Sequence, residues 1–182
     1  MTARGPAISL IGFMGTGKSS TGRELARRTG RRCFETDAIV VAQLGMTINE
    51  IFSNLGEETF RDAEAAALRT IPYDDNCIVV TGGGIVLRPA NRELIRELGR
   101  VVNLTADEET IYERISRRAD RPLLRTDDPR ATIARLMAER QQLYASAADI
   151  TLDTSGLTPA QITVEILSLI ERGDAASIEG KT

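Results

Sequence analysis

The run Gly12-Phe13-Met14-Gly15-Thr16-Gly17-Lys18-Ser19 constrains this chain more than any other stretch. It fits the spacing G-x-x-x-x-G-K-[ST], in which glycines let the backbone wrap an anion with its N–H groups turned inward. An apolar run at residues 8–11 leads into it and a helical pattern leaves it near Gly17. A helix beginning there adds unpaired N–H groups and a partial positive charge, which favour phosphate. In such a loop Lys18 reaches the outer phosphates as a point charge. Ser19 offers a hydroxyl to Mg²⁺, a cation that keeps several waters and takes few protein ligands. The spacing predicts a site for a nucleoside triphosphate.

The rest of the chain alternates short apolar runs with helical patterns. Residues 78–81, 101–104 and 150–152 read as buried strands, and a weaker strand ends near Cys33-Phe34. Thr47 with Glu50, and Thr105 with Glu108, have the spacing of capping boxes. Asp128-Pro129 and Thr158-Pro159 each read as an N-cap followed by proline in the first helical position, and Gly173 reads as the stop of the last helix. Alternation of this kind predicts a parallel sheet with helices on both faces. Ligands of such sheets bind at the carboxyl ends of the strands. The 182 residues suit a single domain, here taken as 1–172, with 173–182 as a disordered polar tail.

Composition narrows the chemistry. There is no histidine, which removes histidine general bases, Ser-His-Asp triads and histidine-containing zinc sites. Two cysteines, Cys33 and Cys77, are too few for a disulfide scaffold or a four-cysteine metal site. With 23 Lys+Arg against 26 Asp+Glu the net charge is −3, so no overall field attracts nucleic acid or an anionic membrane. No segment has the length of a membrane span, and the N-terminal residues do not have the pattern of a signal peptide; a cytoplasmic protein is expected. Chemistry must then run on carboxylates, Lys, Arg, hydroxyls, backbone groups or a borrowed metal.

Several segments at the binding edge can supply it. No candidate strand ends in the aspartate usual for the second metal-binding motif of such proteins; residues 78–81 run instead into Gly82-Gly83-Gly84, bare backbone with N–H donors. Glu35-Thr36-Asp37 follows the second strand. One carboxylate there can hold Mg²⁺-bound water and another can accept a hydroxyl proton, although the same triplet is also a common turn and N-cap. Arg61 and Glu64 share a helix face, as either a solvated pair or a held fork for a carboxylate or phosphate. Residues 114–128 carry five arginines in their first twelve positions and suit a lid that closes on phosphates. Arg140 follows on the next helix and by spacing alone has no assigned role.

Taken together, GFMGTGKS, the acidic triplet, GEETFRDAE, TGGG, RPLL and ER…LY, in this order over residues 7–155, resemble the shikimate kinase family. The resemblance implies a three-layer P-loop NTPase fold of the nucleoside-monophosphate-kinase kind, with a five-stranded parallel sheet, flanking helices and a mobile lid. It implies transfer of the γ-phosphate of ATP to the 3-hydroxyl of shikimate with one Mg²⁺, in a monomer. Gly15, Thr16, Gly17, Lys18, Ser19 and Ser20 would contact the nucleotide, with Lys18 stabilising the moving phosphoryl and Ser19 on the metal. Asp37 would bind substrate hydroxyls and serve as base. Arg61 and Arg140 would grip the shikimate carboxylate, Gly82, Gly83 and Gly84 would lie against the ring, Glu64 would support them, and Phe52 and Phe60 would line the pocket. Arg121 would be the lid arginine, Arg114 would pack on adenine, and Asp153 would belong to the adenine loop.

The chain departs from the family pattern in two places. Glu35 stands where the first aspartate of D-x-D is usual, and is expected to touch the metal through water. The loop DTSGLTP lacks the Asn or Arg often found there. Two other readings are a different small-molecule P-loop kinase, for gluconate or a nucleoside monophosphate, and a catalytically silent relative. The glycine loop and the two arginines speak against the first; retention of Lys18, Asp37 and the arginines speaks against the second.

Overall fold

A computed structural model describes residues 6–72, 76–116 and 128–179, with residues 173–179 by backbone alone. Its strands are β1 (Ala7–Ile11), β2 (Cys33–Glu35), β3 (Ile78–Val80), β4 (Gly99–Thr105) and β5 (Ile150–Asp153). All pair in parallel, in the order β2-β3-β1-β4-β5. In the central strand β1, Ile8 lies opposite Ile78 on one side and Arg100 on the other. Every residue of β1 and β3 is buried. This explains why both read as largely apolar runs, with Ser9 the one polar residue: both faces of the sheet are covered.

Alternation along the strands divides the core in two. Ala7, Ile11, Val79 and Val101 point to one face, where they meet Ile95, Ile111 and Ile133. Those three come from α5 (Pro89–Leu98), α6 (Glu108–Ser116) and α7 (Pro129–Ala147). Ile8, Leu10, Val80 and Leu104 point to the other face, against Leu25 of α1 (Lys18–Thr29) and Ile162 and Ile166 of α8 (Pro159–Glu179). Each such fully buried aliphatic side chain contributes about 1.5–3 kcal/mol. A third cluster, Val40, Ile51, Phe60 and Ala67, binds α2 (Thr36–Leu44), α3 (Ile48–Asn54) and α4 (Gly56–Arg69) together.

Three expected boundaries change. The cap of α6 is Asp107, whose carboxylate accepts from Thr110 N at 2.7 Å; Thr105 is still strand, and its hydroxyl donates to the Leu152 carbonyl at 3.3 Å. The backbone of α8 continues through Gly173 to Glu179. Glycine costs a helix interior only about 1 kcal/mol relative to alanine, and the alanines at 175 and 176 favour continuation. Finally, β5 runs one residue further than expected, so one strand does end in aspartate, Asp153. Of the segment expected to form a lid, residues 114–116 close α6 and Asp128 caps α7 through Ala131 N. Residues 117–127, Arg121 among them, lie outside the described residues.

The loops after β1, β2 and β3 are cross-linked. Thr81 Oγ1 donates to the Leu10 carbonyl at 3.0 Å, and Gly82 N donates to Thr36 Oγ1 at 3.0 Å. The end of β1, the acidic triplet and the glycine loop are therefore tied together at this edge.

Candidate active site

At that edge lies a cavity of about 470 Å³. Gly15, Gly17, Lys18, Ser19, Ser20 and Arg114 line it. The helix α1 starts at Lys18 behind Gly17, which takes a left-handed φ of 90° as its N-cap. The Lys18 ammonium is buried and donates to the carbonyls of Gly12 and Phe13, 2.8 Å each. This folds the charge into the loop, where a phosphate would meet it. Thr16 turns inward instead, with its hydroxyl on the Phe13 carbonyl at 2.8 Å. The apolar part of the lining comes from Ile115 of α6 and from Leu157, Pro159 and Ile162 around the start of α8.

A second cavity, of about 80 Å³, opens beside the first. Asp37, Phe52, Phe60, Arg61, Glu64, Gly82, Gly83, Gly84 and Arg140 all line it, and Met14 and Ile48 join them. Four helices build it. The capping box at Thr47 and Glu50 starts α3, which brings in Ile48 and Phe52. The first turns of α4 bring in Phe60, Arg61 and Glu64, whose spacing puts them on neighbouring positions of one face. Asp37 comes from the first turn of α2, and Arg140 from α7.

Arg61 is the most constrained of these side chains. It is only 7% exposed. Nη1 donates to Glu64 Oε2 at 2.9 Å, while Nη2 and Nε donate to Glu57 Oε1 at 2.9 and 3.2 Å. The rings of Phe60 and Phe52 stand 5.1 and 6.0 Å from its guanidinium carbon. Two glycines are required here. A Cβ on Gly84 would run into the guanidinium, and one on Gly82 would meet the Glu64 carboxylate and come within 2.6 Å of Asp37 Oδ1. Glu64 is fully buried. Burial raises its pKa, against the opposing pull of the Arg61 charge. Its Oε1, buried beside Gly82, has no hydrogen-bond partner among the described residues. Arg140 lies 6.0 Å from the Phe13 ring centroid. One turn later the Tyr144 hydroxyl donates to the Gly83 carbonyl. Burial pushes that phenol up to about 12, so it stays a neutral donor.

Met14, Asp37, Gly82 and Gly83 line both cavities. A carboxylate thus stands where the two meet, with the Lys18 ammonium on one side and two buried guanidiniums on the other. That arrangement can hold an anionic donor and a carboxylated acceptor side by side. A sequence model of the shikimate kinase family matches residues 14–171, a span that contains every residue lining the two cavities. The chain belongs to the shikimate kinase family. A shikimate kinase of Geobacter metallireducens is 46% identical over 90% of this chain and 91% of its own length. The solved shikimate kinase from Acinetobacter baumannii in complex with shikimate superposes with a TM-score of 0.89 at 33% identity, covering 93% of this chain and 94% of that one. That from Aquifex aeolicus gives 0.78 at 30% identity, over 93% and 98%.

Some expected residues stand elsewhere than their motifs suggest. Glu35 is outside the lining of both cavities and pairs with Arg23 of α1, Oε1 to Nη1 3.1 Å. Pleating explains this: neighbours on a strand point to opposite faces, and here α1 packs beside β2. Asp153 is exposed and its carboxylate accepts from the Ser155 amide and hydroxyl at 2.9 and 2.7 Å. Arg114 reaches the larger cavity, but its guanidinium is bonded to the carbonyls of Gly15 and Thr154 and to the Thr154 hydroxyl. Sequence reasoning missed Met14, Ile48, Ile115, Leu157 and Ile162 as lining residues, and Glu57 and Tyr144 as supports. Of these only Glu57, four residues before Arg61, had a local signal.

Proposed function

We propose that this chain transfers the γ-phosphate of ATP to the 3-hydroxyl of shikimate, yielding shikimate 3-phosphate and ADP on the route to chorismate and the aromatic amino acids. The observation that carries this reading is the meeting of the two cavities at Asp37. Phosphoryl transfer asks for positioning and charge neutralisation more than for covalent chemistry, and a chain without histidine can supply both. Arg61 and Arg140 would hold the carboxylate of the acceptor through charge-assisted hydrogen bonds. Glu64 and Glu57 keep Arg61 in place, and Phe52 and Phe60 flank it. Gly82 and Gly83 let the acceptor ring lie against backbone. Asp37 would take the hydroxyl proton, and Lys18 would meet the charge on the transferring phosphoryl. Arg121 would serve as the lid arginine.

The donor set suits Mg²⁺. Ser19 lines the cavity beside Lys18, and Asp37 is the carboxylate nearest to hand in the lining. No cluster of three or more acidic, cysteine or histidine side chains forms a cage among the described residues. A cation that arrives on a nucleotide with its own waters needs no such cage. When bound, it neutralises charge on the phosphate oxygens; Ser19 would be its ligand from this chain, and Glu35 would have to leave Arg23 to reach its waters. We place the enzyme in the cytoplasm as a monomer. No described helix is long and apolar enough to cross a membrane.

The test is ADP release by the purified protein with ATP and Mg²⁺, with shikimate, gluconate or a nucleoside monophosphate as acceptor. Release with shikimate alone is expected. Release with another acceptor, or none while ATP still binds, would refute the assignment.

A further inference from the structure

Thr154 follows β5 and is fully buried, yet its hydroxyl meets three separate segments. Oγ1 lies 2.8 Å from the Thr105 carbonyl at the end of β4 and 3.1 Å from the Thr16 carbonyl in the phosphate loop; its single proton serves one of them at a time, and the Thr105 carbonyl already accepts from the Thr154 N–H, which frees the proton for Thr16. It accepts from Arg114 Nη1 at 3.2 Å. Arg114 donates onward to the Thr154 carbonyl at 2.9 Å and to the Gly15 carbonyl at 3.2 Å. Two consecutive carbonyls of the phosphate loop are therefore held from one side, Gly15 by Arg114 and Thr16 by Thr154. In a trans peptide the C=O and the N–H of the same unit point in opposite directions. Anchoring these carbonyls aims the N–H groups of Thr16 and Gly17 away from Thr154, which does not line the cavity. Those are the groups a phosphate would use. The backbone of Thr154 is itself pinned, N–H to the Thr105 carbonyl at 2.8 Å, so the hydroxyl acts from a fixed post.

We propose that Thr154 is a positioning residue for nucleotide binding: with Arg114 it locks the orientation of the phosphate-loop peptides without touching the ligand. The inference rests on the reading of the larger cavity as the nucleotide site.

Thr154→Val keeps the side-chain shape and removes the hydroxyl; Thr154→Ser keeps the hydroxyl. The full chain, which contains no tryptophan, is titrated calorimetrically with Mg²⁺-ADP and, separately, with shikimate. Thr154→Val is expected to weaken Mg²⁺-ADP by about fivefold or more, since a buried acceptor in the loop loses its donor. Thr154→Ser is expected to stay within about threefold of the parent, and neither variant should move shikimate affinity by more than about twofold. A smaller loss in the valine variant, no recovery with serine, or parallel loss of both ligands overturns the proposal; the last would mark a merely structural role. If the valine variant does not fold, Thr154→Ala, which puts no methyl against the Thr16 carbonyl, carries the same expectation. Failure of the unaltered protein to bind Mg²⁺-ADP would overturn the nucleotide reading and the proposal with it. Normal binding by both parent and variant overturns the proposal alone.

Discussion

Arg61 already holds two carboxylates before any acceptor arrives, Glu64 in the core and Glu57 toward solvent. Removing one partner of a buried charged pair leaves the other without compensation, at about 3–5 kcal/mol. Arg61→Ala should therefore do two things: lower the melting temperature and raise KM for shikimate about 10–100-fold, with KM for ATP unchanged. Arg140→Ala should raise the same KM. Steady-state kinetics with each substrate varied will show it, and a shift confined to ATP would remove the carboxylate-fork role. Lys18→Ala should lower kcat by about 10²–10³-fold while circular dichroism stays native; turnover near that of the parent would rule out its part in the reaction. Glu64 makes a prediction of opposite character. Its folded pKa is raised, chiefly by burial, so the folded state holds the proton more tightly than the unfolded state does. The stability this confers is complete below the ordinary carboxylate value and is lost as pH rises through the folded value. Glu64→Gln, which stays neutral, loses the ion pair with Arg61 but should gain on the parent in melting temperature as pH is raised from 4 toward 8. A difference that stays constant or moves in the parent's favour would contradict this.

At the scale of elements, α3 is short, Ile48–Asn54, and depends on its cap. Thr47→Ala should cost about 1 kcal/mol, read as a lower melting temperature. Because α3 carries Ile48 and Phe52 into the acceptor cavity, KM for shikimate should rise with it; an unchanged KM would mean that the helix start does not matter for binding. That cap was legible in the sequence because Thr47 and Glu50 answer each other locally. The same spacing misled at Thr105 and Glu108, where strand pairing with β5 took Thr105 and left Asp107 to cap the helix. Gly173 misled because glycine permits a stop without enforcing one. The buried strands β1, β3 and β4 were legible, since parallel pairing under helices demands continuous apolar runs, but β5, read as buried, is an edge strand whose residues alternate between half-buried and exposed. Of the residues lining the smaller cavity, Asp37 and Gly82 to Gly84 were legible through motifs just beyond strand ends, whereas Phe52, Phe60 and Arg140 reach it from helices and were singled out only through the family resemblance. What was not legible depends on contacts across long separations. Arg114 meets Gly15 across 99 residues, Glu35 meets Arg23 only because of strand pleat, and Leu157 and Ile162 line a cavity because α8 returns beside α1. No local pattern records such meetings.

At the scale of the molecule, ligand binding should read out as stability. A ligand at a hundredfold excess over its Kd adds about 2.7 kcal/mol to the folded state. For a chain of this size that is about 5–10 °C in melting temperature. Parent protein should gain this from Mg²⁺-ADP and from shikimate. The Arg61→Ala variant should gain it from Mg²⁺-ADP only, and a retained shikimate shift would place the acceptor elsewhere.

The common wall of Met14, Asp37, Gly82 and Gly83 has one more consequence. A single compound that joins an adenosine polyphosphate to a carboxylated ring would need almost no spacer to fill both cavities. Its second half would bind as if present at millimolar local concentration. Short tethers should beat long ones, because every added atom would have to fold away from the boundary that the two cavities share.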